Sequence, residues 1–270
     1  MRFSTITLFT LSLVLTLSHT AIGQGFSISP SRIFFTGAPG ETVTQTIDFT
    51  NTSKDALSFV TRIQDWSRDS TGNKVYANTL LPNSNAKWIS LSENSVVIQP
   101  GEVKKVIVSL HIPLGANKLS HTMLFFTQVK PQQKIESPKV AIGVNVLMEV
   151  GVQIYYTPTG LKAGDLEFLA FEDRGIVKNG EKTVRRVALK IHNRGEINKD
   201  AFLRLELTNK ETGEEIKIEP TTLAMLPEEK QWVMVDLPAN LKGKFLTVAM
   251  LDAGSSYDLK VAEKEIIYRP

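Results

Sequence analysis

The sequence predicts an all-β protein, two β-sandwich domains in tandem behind an N-terminal targeting segment. Three observations carry that expectation. Beyond residue 24, apolar and polar residues alternate with a period of two almost everywhere, and no stretch offers a credible helix of three turns. Turn-forming clusters recur roughly every 8–12 residues, the spacing of short antiparallel strands. The strands fall into two groups around Tyr156-Thr157-Pro158-Thr159-Gly160, a plausible hinge.

The first 23 residues read as a signal peptide. Arg2 precedes an apolar stretch from Ile6 to Leu17, and Ala21-Ile22-Gly23 supplies small residues before Gln24. That stretch is shorter than the ~20 residues a spanning helix needs. No cysteine follows it, so a lipoprotein anchor is excluded. Removal of residues 1–23 takes away Arg2 and leaves 30 basic against 28 acidic residues. No later segment is long and apolar enough to cross a bilayer, so an exported, soluble protein is expected, in the periplasm or else secreted or at the cell surface.

The first domain, residues 24–157, opens with Phe26-Ser27-Ile28, broken by Pro30 and resumed at Arg32-Ile33-Phe34-Phe35. Ala38-Pro39-Gly40-Glu41 is a turn, because proline presets the first central angle and glycine accepts a positive φ at the second. Val43, Gln45, Ile47 and Phe49 then point one way, and Asn51-Thr52-Ser53 closes that strand. Leu57 to Trp66 reads as the next strand, with a turn at Ser70-Thr71-Gly72-Asn73. Short strands at Trp88–Leu91 and Val96–Ile98 lead into Pro100-Gly101-Glu102. Val106, Val108, Leu110 and Ile112 alternate before Pro113, and Met123–Val129 follows. The second domain, residues 158–270, repeats the pattern. Its strands are Leu166–Phe171, Val187–Ile191, Phe202–Leu207, Ile216–Ile218, Trp232–Leu237, Phe245–Leu251 and Ile266–Tyr268.

One segment differs from the rest. From Val140 to Ile154 every even position is apolar, while most odd positions are small or polar. At ~3.3 Å per residue this run is about 50 Å long, against ~17–20 Å for a common strand. Two readings fit the spacing. The strand either feeds both domain cores in turn or leaves part of its apolar row along an open sheet edge, ready to pair with another chain.

Composition excludes several functions. The chain has 270 residues, 42% hydrophobic and 22% charged, which is globular and sufficient for two domains. A net charge of +3 gives no argument for nucleic acid. With no cysteine there is no disulfide, thiolate metal site or cysteine nucleophile. His111 and His121 have no flanking metal-ligand spacing. No G-x-S-x-G elbow or phosphate loop occurs, and Thr71-Gly72-Asn73-Lys74 is more simply a hairpin turn. Trp66, Trp88 and Trp232 are expected to pack cores, and Lys104 and Lys105 to frame a solvated edge. Neither enzymatic activity nor a cofactor or metal is expected.

Three segments resemble the PapD-like periplasmic pilus-assembly chaperones. Ile28-Ser29-Pro30-Ser31-Arg32-Ile33-Phe34-Phe35 resembles that family's first strand, with its characteristic arginine. Ile98-Gln99-Pro100-Gly101 followed by Val106, Val108 and Leu110 is similar to its L-x-P-G turn and strand. Tyr155-Tyr156-Thr157-Pro158 is similar to the aromatic pair and Y-R-P that end its first domain. The resemblance covers residues 25–158, and beyond them only a second immunoglobulin-like sandwich. It implies two immunoglobulin-like domains around a cleft, a pilin-like or other β-rich exported subunit as partner, and an outer-membrane usher as a further one. It also implies that Arg32 takes the position that binds the subunit's C-terminal carboxylate. Val144, Val146 and Met148 take the positions of the strand donated to the subunit. Gln153 stands where that family has a cleft lysine, and Leu119-Ser120-His121 replaces its acidic-serine signature.

A second likeness competes. Thr42–Trp66 with Gly72-Asn73-Lys74-Val75-Tyr76, and Leu237-Pro238 with Gly243-Lys244, are similar to WxL-interacting surface proteins. That likeness implies an adhesion or scaffold module binding a cell-surface partner.

Overall fold

The computed structural model describes residues 25–129 and 147–268. Residues 1–23, expected to be the signal peptide, and Val140 to Val146 of the long apolar run lie outside them.

Among the described residues, the first half of the chain holds eleven strands, nine of them in the two sheets of the first sandwich: β1 (Phe26–Ser29), β2 (Arg32–Phe35), β3 (Thr42–Asn51), β4 (Leu57–Gln64), β5 (Trp66–Arg68), β6 (Lys74–Tyr76), β7 (Ile89–Leu91), β8 (Ser95–Ile98), β9 (Val103–His111), β10 (Ser120–Val129) and β11 (Glu149–Tyr156). One sheet has the order β1-β3-β9-β7, the other β2-β11-β10-β4-β8, and β5 and β6 form a separate hairpin. The chain changes sheets at Pro30, between β1 and β2, because proline cannot donate to a ladder. Alternation places Ile47, Phe49, Val106, Val108 and Leu110 of one sheet against Ile33, Phe59, Leu124, Phe126 and Ile154 of the other. Phe49 meets Phe126 edge to face at 4.6 Å between centroids.

The second sandwich has seven strands: β12 (Leu166–Asn179), β13 (Lys182–Asn193), β14 (Lys199–Asn209), β15 (Glu215–Met225), β16 (Lys230–Leu237), β17 (Gly243–Asp252) and β18 (Lys260–Tyr268). Its sheets are β12-β13-β16 and β15-β14-β17-β18. Val187, Leu189, Leu203, Leu205, Val235 and Phe245 are among the side chains of its core. The all-β, two-sandwich architecture read from the periodicity is the one observed.

A single turn design recurs three times. In Ala38-Pro39-Gly40-Glu41 the Glu41 carboxylate accepts the Ala38 N–H at 2.8 Å, while the Glu41 N–H returns to the Ala38 carbonyl at 3.1 Å. Gln99-Pro100-Gly101-Glu102 repeats both bonds, at 2.6 and 3.0 Å. Leu226-Pro227-Glu228-Glu229 repeats them again, at 2.5 and 3.3 Å. The residue after proline has positive φ each time: 91° at Gly40, 74° at Gly101 and 58° at Glu228. Two of these turns dock on a buried asparagine that ends a strand. Asn51 donates to the Ile98 carbonyl at 3.0 Å and Asn193 to the Leu226 carbonyl at 3.0 Å.

Four sequence expectations need correction. Leu57–Trp66 is not one strand: it divides at Asp65, whose buried carboxylate accepts from Leu81 N–H, Ser84 and Thr122 and so leaves the ladder. Trp88 ends a 3₁₀ turn (Ala86–Trp88), and the strand begins at Ile89. Trp232 lies on the outer face of its sheet under Arg174 and Lys190, because Val233 and Val235 occupy the inward register. The described part of the long run does not serve both cores. Val152, Ile154 and Tyr156 all enter the first core, and the strand ends before the linker.

Candidate binding site: an open strand edge beside a basic cleft

Strand β11 has a different neighbour along each part of its length. On one side it pairs antiparallel with β10 from Glu149 to Tyr156, but on the other β2 covers only Gln153 to Tyr156. The Gln128 N–H bonds to the Met148 carbonyl at 2.8 Å, and the Gln153 N–H bonds to Ser31 on the opposite side at 3.0 Å. Backbone groups alternate sides along a strand, so those of Glu149 and Gly151 point away from β10. Among the described residues no strand pairs with them there.

The side chains of this segment divide by face. Ile154 and Val152 are fully buried, and Val150 and Met148 are half-buried; Val146 and Val144 lie outside the described residues. Leu147, on the other face, is 51% exposed. Glu149 is fixed by Arg62 at 3.2 Å and by the Thr127 hydroxyl. Gly151 is required by close approach, since a Cβ there would meet the Met123 sulfur at 2.8 Å.

The cleft between the sandwiches starts one register step further along. Arg32 lies opposite Gln153 in the β2–β11 pairing, and its guanidinium bonds Asp200 of the second sandwich. Gln153 is buried and accepts the Tyr155 hydroxyl at 2.7 Å, and its amide carries no charge. Tyr155 stacks on Phe34 at 5.2 Å, and burial pushes its hydroxyl up to about 12. Positive charge comes instead from the β5–β6 hairpin. Arg68 and Lys74 lie over the Trp66 ring at 5.3 and 5.7 Å. Burial lowers the Lys74 pKa first, and repulsion by Arg68 and Arg32 lowers it further. Arg32, Arg68 and Arg204 line an open cavity of about 730 Å³ with Asp200 and Asp252.

Sequence reasoning missed Arg68 and Lys74. The hairpin turn was readable, but its landing place was not. Its tip rests on β16, where the Trp232 N–H donates to the Ser70 carbonyl at 2.7 Å. Beneath it, Trp66, Leu119, Met123, Phe125, Tyr155 and Leu226 form an apolar cluster joining the two sandwiches. His121 belongs to this junction: its Nε2 bonds the Trp66 carbonyl at 3.0 Å, and burial lowers its pKa. His111 bonds Thr42 at 3.1 Å, and Lys104 pairs with Glu93 at 2.9 Å. Among the described residues no three His, Asp or Glu side chains gather as a metal site, and no helix is long and apolar enough to cross a membrane.

No family model matches the chain, and no curated protein does. Solved structures do. A class 5 fimbriae chaperone, CfaA, is 13% identical, covering 90% of this chain and 99% of its own, with a TM-score of 0.47. The Pseudomonas aeruginosa CupB2 chaperone is 13% identical over 89% of this chain and 100% of its own, with a TM-score of 0.45. A Salmonella enterica SafA pilin–SafB chaperone complex matches at 10% identity, over 90% of this chain and 96% of that one, with a TM-score of 0.45. Likeness this distant assigns no role, which is left to the site itself.

Proposed function

We propose that this protein is a periplasmic chaperone that holds an exported, β-rich subunit of the pilin type by strand addition along the first half of β11. The observation that carries the reading is the side of Glu149 and Gly151 that no described strand pairs with, beside an apolar row that leaves the domain's own core after Val152, with Val150 and Met148 half-buried. Backbone groups on such an edge supply affinity, and alternate side chains supply specificity. Met148, with Val146 and Val144 beyond it, fills apolar pockets of the subunit.

The cleft takes the subunit's C-terminal carboxylate. Arg32 offers two parallel donors, and Arg68 and Lys74 replace the cation that Gln153 does not supply. In the free protein Asp200 occupies Arg32, so the incoming carboxylate exchanges one anion for another. An usher is a second partner on this reading, and the chain arrives in the periplasm with Gln24 at its N-terminus. The protein acts stoichiometrically and without a cofactor.

The absence of cysteine from the chain makes the test clean. A Leu147→Cys variant carrying a photo-crosslinker is isolated from the native periplasm. A one-to-one adduct with a β-rich exported protein is expected. Recovery of the uncrosslinked monomer alone, under conditions in which exported subunits are abundant, would reject strand addition and favour the adhesion or scaffold reading.

A further inference from the structure

The sequence contains one Asn-Gly pair, Asn179-Gly180, and it closes the hairpin between β12 and β13 of the second sandwich. Asn179 pairs with Lys182, which leaves Gly180 and Glu181 as the two loop residues. A two-residue loop of this kind needs positive φ at its first position, and Gly180 supplies it at 61°. Asn179 and Gly180 are both exposed, and among the described residues the Gly180 N–H has no backbone acceptor. Asn179 therefore has a free and sterically unhindered nucleophile, the Gly180 nitrogen, one residue from its own amide carbon.

The Asn179 side chain is held by an ion pair on the same sheet. Its Nδ2 donates to Asp236 Oδ2 at 2.7 Å. Arg186 grips that carboxylate through Nε at 2.5 Å and Nη2 at 2.9 Å. Asp236 stands on β16, beyond β13, so the bond draws the amide across the sheet and away from Gly180. Arg186 is the main cause that holds the Asp236 carboxyl below the ordinary aspartate range, and the Asn179 amide adds to it. An ionised carboxylate accepts hydrogen bonds and donates none.

We propose that Asn179-Gly180 is a site of spontaneous deamidation, with the Asp236–Arg186 pair as the brake on it. The Gly180 nitrogen forms a bond to Asn179 Cγ and loses its proton. The Cγ–Nδ2 bond breaks, and Nδ2 leaves as ammonia carrying that proton. Water then opens the cyclic imide at either carbonyl, which leaves aspartate or isoaspartate at 179. Water is the one co-reactant, and nothing is oxidised or reduced. The brake acts in two ways. It keeps Cγ away from the attacking nitrogen, and an acceptor-only partner cannot supply the proton that the departing Nδ2 needs. Once formed, the new carboxylate faces Asp236 with no proton to donate and competes with it for Arg186. Isoaspartate also adds a methylene to the backbone beside the Asn179–Lys182 pair, which disturbs the β12–β13 register.

The test ages the full chain in neutral buffer, folded and in urea, and follows amide-to-acid conversion at every asparagine by peptide mapping and mass spectrometry. In the folded protein Asn179 should convert before any other asparagine. Asp236→Ala should convert at Asn179 about tenfold faster than the wild type, the factor that one charge-assisted hydrogen bond corresponds to. In urea the two proteins should convert at one common rate, faster than the folded wild type. Amide exchange at Val177 and Val184, which pair across the hairpin, reports whether Asp236→Ala keeps it closed. If that variant opens the hairpin, the wild type alone decides, and equal rates folded and in urea overturn the brake. An intact Asn179 while other asparagines convert would overturn the site. An Asp236→Ala rate equal to that of the wild type, with the hairpin closed, would overturn the role of the ion pair.

Discussion

Glu228 is the one non-glycine residue with positive φ among those described, and replacing it with glycine should stabilise the protein. Its two counterparts, Gly40 and Gly101, show what the position requires. A side chain in the left-handed region costs ~1–2 kcal/mol, and glycine returns ~0.5–1 kcal/mol through the entropy of the unfolded chain. The net gain is therefore about 0.5–1 kcal/mol. The side chain offers little in exchange. Its carboxylate lies 3.7 Å from His192 Nε2 and is 70% exposed, and an exposed pair contributes near the bottom of the ~0–1 kcal/mol range. For a unit of this size the gain corresponds to a rise of roughly 1–4 °C in Tm. Circular dichroism melts of the wild type, Glu228→Gly and Glu228→Ala separate the terms. Alanine removes the His192 contact but keeps the strain, so it should melt at or slightly below the wild type. A glycine variant no more stable than the alanine variant would refute the reasoning.

Two further outcomes are expected. The Arg32–Asp200 pair is partly exposed, with 34% and 55% of the side-chain surface accessible, so Asp200→Asn should change stability by less than ~1 kcal/mol. It should nonetheless tighten subunit binding by freeing Arg32, and calorimetry showing weaker binding would contradict the carboxylate cleft. Glu229 has its pKa raised in the folded state by burial, so the native state binds the proton more tightly than the unfolded chain does. Stability from this group is greatest below the ordinary glutamate range and falls as pH rises through its raised value. Glu229→Gln should remove that fall, giving a larger Tm advantage over the wild type at pH 7 than at pH 4; an advantage independent of pH would count against it.

Most of the fold was legible because its information is local. The period of two fixed which apolar residues of β3 and β9 share one face, and Pro-Gly-Glu fixed two of the three proline turns. The third escaped because Glu228 occupies the glycine position, so only the backbone reveals the repeat. Trp232 escaped for a different reason. Tryptophan is as apolar as a core residue, and only the neighbouring Val233 and Val235 determine which face it takes. The resemblance named Arg32 and Gln153, and the structure makes them register partners across β2 and β11. Arg68 and Lys74 were not readable, because their role depends on where a hairpin lands on another domain. The open part of β11 lay between: periodicity showed an apolar row too long for one core, but only the shortness of β2 shows which part of the edge no described strand covers.

The central claim is that a subunit adds a strand to β11, and one backbone donor tests it. The Glu149 N–H points away from β10, so Glu149→Pro removes a donor from the open edge while leaving the β10 ladder intact. Glu149→Ala is the control for the lost contacts with Arg62 and Thr127. Calorimetric affinity for the purified subunit is the measurement. The proline variant should bind about tenfold or more weakly than the alanine variant, from a lost hydrogen bond of ~0.5–1.5 kcal/mol and the clash of the ring with the incoming strand. Equal affinity of the two variants, both folded, would contradict strand addition at this edge.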